Sequence, residues 1–244
     1  NDMYEVGLGG DLTAQAEAEE WLEAAKEGKK LTTSCCPAFV NLIKKQYPEL
    51  AEHISTTISP MFALSRLLKS EDPDTITVFI GPCIAKKSEV IDSITFGGAD
   101  YAMTYEELAS MFEAKNIDPE ECTETMQQGS KFGKQYSVSG GVTAAVLETF
   151  KEANKEVDLK VKTCSGALEC KKALMLLKVG KLPEDFIEGM ACVGGCVNGP
   201  AMLGKSRTFL KDRNGQIAKA DDRGVLENVA QYDEYGINMT RNHQ

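Results

Sequence analysis

Cys192 and Cys196 stand with three residues between them in the run Met190-Ala-Cys-Val-Gly-Gly-Cys-Val-Asn-Gly-Pro200. Gly194 and Gly195 separate the two thiols, and Gly199-Pro200 closes the run. Small residues let the backbone come close to a bulky group and turn amide N–H groups toward it. Thiolates beside such amides suit an iron–sulfur cluster, whose sulfurs accept hydrogen bonds that tune its potential. Two thiolates are too few for a cube of four irons, so further ligands must come from elsewhere. The plain alternative is a buried cysteine pair beside a glycine turn.

Two other stretches carry thiols in a comparable setting. In Thr32-Thr-Ser-Cys-Cys-Pro-Ala-Phe39, Pro37 fits the first turn of a helix, where a missing N–H costs nothing. Cys35 and Cys36 therefore fall at a strand-to-helix junction, where the dipole and free amides lower a thiol's pKa. In Gly81-Pro-Cys-Ile-Ala-Lys-Lys-Ser-Glu89 the order is again strand, turn, cysteine, helix. Lys86, three residues past Cys83, can face the same site. Alone it would read as a surface lysine, but beside a thiolate-bound cluster it can donate to an anionic ligand. Glu17 and Glu20 share one face of an acidic helix, with two solvated carboxylates as the alternative. His53 has no ligand-like spacing to a cysteine, and Cys122, Cys164 and Cys170 read as ordinary buried thiols. The adjacent Cys35 and Cys36 are a poor start for disulfides, and no export signal is visible. A cytoplasmic, reducing setting with metal-binding or reactive thiols is expected.

The elements that must position these residues alternate. Strands are expected at 4–10, 29–33, 75–80, 99–103, 159–163 and 186–190. Helices are expected at 12–27 with Asp11 as its cap, from Pro37, at 48–53, from Ser59-Pro60 to near Lys69, at 104–114, 139–154, 165–179 and near 225–232. Thr104 with Glu107 forms a capping-box pattern. The β-branched run 75–80 reads as a buried strand of parallel-sheet type. Residues 116–136 read as loop and short helix, 208–219 as a polar hairpin-like segment, and the last residues as a frayed tail. The pattern implies an α/β fold: two lobes of mainly parallel twisted sheet flanked by helices. The expected division is a first lobe over 1–95, a second over 96–205 and a C-terminal segment over 206–244. Ligands of such sheets sit at the carboxyl ends of strands. Cys36, Cys83 and the Cys192/Cys196 pair each follow an expected strand, so a metal site at the lobe junction is expected. A net charge of −10 argues against nucleic acid as a partner, and no apolar run approaches the ~20 residues of a membrane span.

Thr33-Ser-Cys-Cys-Pro37, Pro82-Cys-Ile-Ala-Lys-Lys-Ser-Glu89 and Met190-Ala-Cys-Val-Gly-Gly-Cys196 resemble, in order, the three signature motifs of the catalytic domain of [FeFe]-hydrogenases. Glu5-Val-Gly, Asp11-Leu-Thr13 and Gly140-Gly-Val142 extend the resemblance over nearly the whole chain. The resemblance implies a [4Fe–4S] cube on Cys36, Cys83, Cys192 and Cys196. It implies a diiron subsite with CO, CN− and a dithiolate bridge, joined to the cube through Cys196. Cys35 would then pass protons, Lys86 donate to an iron-bound cyanide, and Met190 pack near the diiron carbonyls. Glu17, Glu20 and Ser55 fall where the family has its proton relay. The implied activity is reversible reduction of protons to H2, with a ferredoxin-like donor or an upstream iron–sulfur domain, and with maturation proteins to build the subsite.

Gly81, Phe39, Ala24 and Asn198-Gly-Pro-Ala-Met202 depart from the family's commonest residues and resemble a less-studied branch. The chain opens at Asn1 and is expected to be a fragment, without the family's upstream strand, and inactive by itself. The competing readings are a hydrogenase-like [4Fe–4S] protein without diiron subsite, acting in electron transfer, sensing or cluster assembly, and a structural zinc site.

Overall fold

The computed structural model describes residues 2–119 and 127–241. Its first helix, α1, runs Val6–Lys26 and is followed by strand β1, Leu31–Thr32. Helix α2 spans Pro37–Gln46, and α3 spans Pro60–Glu71 after a 3-10 turn at Pro48–His53. Strand β2, Val78–Ile80, leads to α4, Ala85–Phe96, and strand β3, Tyr101–Met103, leads to α5, Tyr105–Lys115. Then come α6, Lys131–Gln135, α7, Gly141–Glu152, β4, Val161–Ser165, α8, Ala167–Lys178, and β5, Phe186–Met190. Helices α9, Ser206–Ile217, and α10, Val225–Val229, follow, and a 3-10 turn at Ala230–Tyr235 leads into the tail. Among the described residues, no helix is long and apolar enough to cross a membrane.

The strands form two parallel sheets, ordered β1-β5-β4 and β2-β3. Helices flank them, as an α/β chain requires. Central β5 is buried at every residue because both its faces are covered. Phe186 stacks on Trp21 with ring centroids 4.3 Å apart, beside Val146 and Phe150. Ile187, on the opposite face, packs with Phe39, Cys170 and Leu174. Gly189 leaves room for the Phe39 ring, which a Cβ there would overlap. The expected capping box is present in full, with Thr104 Oγ1 accepting from Glu107 N–H and the Glu107 carboxylate accepting from Thr104 N–H.

Four local expectations are corrected. Residues 4–10 are not a strand: α1 already begins at Val6, and Asp11 lies inside the helix rather than capping it. The glycines of this stretch serve close packing. A Cβ on Gly9 would run into the Pro60 carbonyl of α3, and one on Gly10 would lie 2.6 Å from the Gly133 oxygen of α6. The strand at 75–80 starts only at Val78 and is not doubly buried, because its sheet has two strands; Val78 is 44% exposed and Ile80 38%. Residues 208–217 are helical and not a hairpin, and Gly215, which meets nothing within 4 Å, is tolerated on an open helix face. The tail is pinned as far as Arg241, the last described residue: Thr240 pairs antiparallel with Thr57, Ile58 N–H donates to Met239 O at 2.9 Å, and Arg241 N–H donates to Thr56 O at 2.8 Å. Cys164 and Cys170 are buried, while Cys122 lies outside the described residues.

The α1–α3 approach gives a direct test. Gly9→Ala must push the two helices apart, an overpacking that typically costs about 1–3 kcal/mol. The melting temperature is expected to fall by several degrees, about 2–4 °C per kcal/mol for a chain of this size. A thermal melt superimposable on that of the parent chain would contradict the packing.

Candidate metal centre and proton path

Each cysteine motif leaves the carboxyl end of a strand. Thr33 N–H still donates to Ile187 O at 2.9 Å, extending β1 along β5, before Cys36 becomes the N-cap of α2. Pro37 takes the first helical position, and the Cys36 carbonyl accepts from Phe39 and Val40 N–H, both at 3.0 Å. Cys83 follows β2 through Gly81-Pro82. Cys192 and Cys196 follow β5. Gly194 and Gly195 have φ of 82° and 102°, a left-handed region that side-chain-bearing residues rarely enter. A Cβ on Gly195 would lie 2.6 Å from Ser137 O. Val197 N–H donates to Ser137 O, and Ala201 N–H donates to Pro82 O at 3.0 Å, tying the third motif to the second.

The four thiols feel one another. Burial pushes Cys196 well up, and the charges of Cys36, Cys83 and Cys192 push it further, against Lys86. Burial, then Cys36 and Cys83, raise Cys192 to about 11. Cys36 is also raised by burial, although N–H groups of Ala191 and Phe39 at its sulfur oppose this. The helix N-terminus should lower Cys35 and Cys36, but desolvation outweighs it at both. Among the described residues, no three His, Cys, Asp or Glu side chains close on a single metal ion. Zinc would draw four sulfurs to about 2.3 Å from one point. A cube instead takes each thiolate at its own corner, and the donor set suits it: four soft sulfurs, N–H groups aimed at one of them, and a buried cation alongside.

That cation is Lys86. Burial by itself would lower its ammonium, but the Glu89 carboxylate, then Cys83 and Cys196, hold it above its ordinary value. Its Nζ donates to Glu89 Oε2 at 2.5 Å and to Cys35 O at 3.3 Å. The other Glu89 oxygen accepts from Arg241 Nη1 at 2.9 Å, and Arg241 Nη2 donates to Ser34 O at 3.2 Å. Met190, at the end of β5, packs with Ala14, Tyr136, Val142 and Ala145, and Cys35 lies against this cluster.

The expected relay residues are divided between two places. Glu20 accepts from Ser55 Oγ at 2.5 Å, Thr56 N–H at 2.7 Å, Thr56 Oγ1 at 2.9 Å and Thr57 Oγ1 at 3.0 Å. Ser55 thus sits on Glu20. Glu17 is fully buried one turn away and accepts from Tyr136 Oη at 3.0 Å. Burial, then the Glu20 charge, raise Glu17 to about 8. Burial raises the Cys35 thiol well above its ordinary value, and Glu17 is the next cause, so the two groups are electrostatic neighbours.

Sequence reasoning missed Glu89, Glu188, Tyr136 and Arg241. Glu89 was within reach, three residues after Lys86 on the same helix. Buried Glu188 of β5 accepts from Gly140 N–H at 2.7 Å and from Thr143 N–H at 2.9 Å, holding the start of α7 beneath the third motif. Tyr136 and Arg241 carry no local signal.

Residues 1–200 match the family described as iron only hydrogenase large subunit, C-terminal domain. The chain is 33% identical to the periplasmic [Fe] hydrogenase large subunit of Nitratidesulfovibrio vulgaris, over 80% of this chain and 58% of that protein. It is 26% identical to iron hydrogenase 1 of Clostridium pasteurianum, over 99% of this chain and 49% of that protein. It is also 25% identical to the cytosolic Fe-S cluster assembly factor narfl of Danio rerio, over 87% of this chain and 64% of that protein. The chain spans about half the length of the hydrogenases it matches. The [FeFe]-hydrogenase structure HydA(deltaEFG) superposes with a TM-score of 0.76 at 20% identity, over 97% of this chain and 79% of that one, which shows a shared fold.

Proposed function

This chain belongs to the iron-only hydrogenase large-subunit family, and on that premise we propose that it is the catalytic domain of a hydrogenase interconverting protons, electrons and H2. Cys36, Cys83, Cys192 and Cys196 would hold a [4Fe–4S] cube, with Cys196 shared with a diiron subsite bearing CO, CN− and a dithiolate bridge. When bound, that cluster supplies the chemistry on hydrogen. The residues of the chain exclude water, hold charge and move protons. Lys86 offers a buried ammonium toward anionic ligands, oriented by Glu89. Met190 supplies apolar cover. Cys35 gives and takes the proton, with Glu17, Glu20 and Ser55 linking it to solvent. Electrons would come from a ferredoxin-like donor or an upstream iron–sulfur domain, and maturation proteins would deliver the subsite in a reducing cytoplasm. What supports this reading is that Cys35 feels the charges of Cys36 and Cys196, and Lys86 those of Cys83 and Cys196, since a bare cube needs neither.

Similarity to the narfl assembly factor favours a second reading, a [4Fe–4S] protein without the diiron subsite that serves cluster assembly, sensing or electron transfer. Anaerobic iron and sulfide analysis with infrared spectroscopy separates the two. Chain purified without maturation factors is expected to hold the cube alone and evolve no H2. After maturation, metal-bound CO and CN− bands and H2 evolution are expected. Persistent absence of those bands in a matured, cube-loaded chain would leave the second reading.

A further inference from the structure

Tyr136 ends α6, a helix locked onto α1 from both sides. Ser130, its N-cap, donates to Asp11 through its amide at 2.7 Å and its hydroxyl at 2.5 Å. A Cβ on Gly133 would reach Asp11 Oδ1 at 2.5 Å, so the two helices meet with no room to shift. The lock sets the Tyr136 ring among Ala14, Val142 and Met190, against Cys35, with its hydroxyl on Glu17 Oε2. Glu17 Oε1 is buried with no protein partner among the described residues.

We propose that Tyr136 is a positioning residue of the proton path: its hydroxyl fixes Glu17 Oε2 as an acceptor and so makes Oε1 the oxygen that binds and releases the proton. The role rests on the relay reading above and deepens it. One proton enters at Oε1 and one leaves; Tyr136 keeps its own. Burial, then the charges of Glu17 and Cys35, push the Tyr136 hydroxyl well above its ordinary value, so it stays a donor. The titratable groups that bear on this pair are Glu20 on α1, Glu188 on β5, Cys35 after β1, and Asp11, whose charge reaches Tyr136. Burial, then Glu20, raise Glu17, the tyrosine bond lowers it and Glu188 adds a further rise, which leaves it at about 8, close to the pH at which a proton carrier works best.

Infrared pH titration of the cluster-free chain tests this without any H2 chemistry. The acid carbonyl band of Glu17, identified by its loss in Glu17→Gln, is expected to titrate near pH 8. In Tyr136→Phe the band should move to higher wavenumber and the midpoint should climb by about one pH unit, a tenfold change, because a hydrogen bond to a charged group is lost. In the parent chain labelled with ring-13C tyrosine, one tyrosine C–O band should shift with the same midpoint, a readout that needs no substitution. An unchanged band and midpoint in Tyr136→Phe, or no tyrosine band following the titration, would overturn the proposal. In matured protein the alkaline limit of H2 turnover should move up with the Tyr136→Phe midpoint. If the bands shift but matured protein makes no H2, the hydrogenase reading fails while the assignment of Oε1 stands.

Discussion

Cys35→Ala in matured protein is expected to leave iron content unchanged and to lower H2 turnover by about 10²–10⁴-fold, the usual worth of a positioned proton donor. The expectation follows from the separation of two adjacent thiols. Cys36 caps α2 and receives the Ala191 and Phe39 amides at its sulfur, as a ligand would. Cys35 turns the other way, onto the cluster of Met190, Tyr136 and Ala14, and Glu17 is the charge that acts on it most. Burial holds its proton in place, so it offers an S–H rather than a thiolate. Metal analysis and a turnover assay on the same sample decide the matter. Iron lost from the variant would make Cys35 a ligand. Full turnover with full iron would send the protons by another route.

Glu89→Ala should be the most damaging single change away from the thiols. Glu89 is buried and is shared by two buried cations, Lys86 and Arg241. Removing it leaves both facing each other without their common carboxylate. Breaking such a buried pair costs about 3–5 kcal/mol, so the melting temperature should drop by about 10 °C in a chain of this size. The change should also free the tail, because Arg241 holds Ser34 O with one nitrogen and Glu89 with another. Hydrogen exchange at the Ile58 and Arg241 amides, which pair residues 56–58 with the tail, should quicken in the variant. A melt within two degrees of the parent chain, with protection of the Ile58 and Arg241 amides retained, would show that the triad contributes little.

Local pattern was enough for much of the chain. Pro37 after Cys36, Pro60 after Ser59 and the Thr104/Glu107 box mark helix starts through rules that act within one turn, and α2, α3 and α5 start there. The strand expected at 186–190 has the bounds of β5, Phe186–Met190. The strand–turn–cysteine order placed the thiols at strand ends, because chain direction in a parallel sheet is a local property repeated. Where local signals have two meanings, the reading failed. Gly7, Gly9 and Gly10 can make a turn or a close helix contact, and only Pro60 and Gly133 across the interface decide which. The run at 75–80 is apolar enough for a buried strand, yet exposure depends on how many strands pair beside it.

The sequence by itself determined the α/β alternation and the family, and singled out four thiols with Cys35 and Lys86 as the candidate site. Tertiary structure alone decided what surrounds them. Tyr136 meets Glu17 across 119 residues of sequence, and Arg241 meets Glu89 across 152. No periodicity or spacing can encode such pairs, since each partner is polar, unremarkable in its own segment and brought inward only when helices and tail pack. The burial they share then sets their chemistry: desolvation lifts Glu17 to about 8 and outweighs the helix terminus at Cys36. A thiol's position along the chain tells what it can bind. The low-polarity interior built around it decides when it holds a proton.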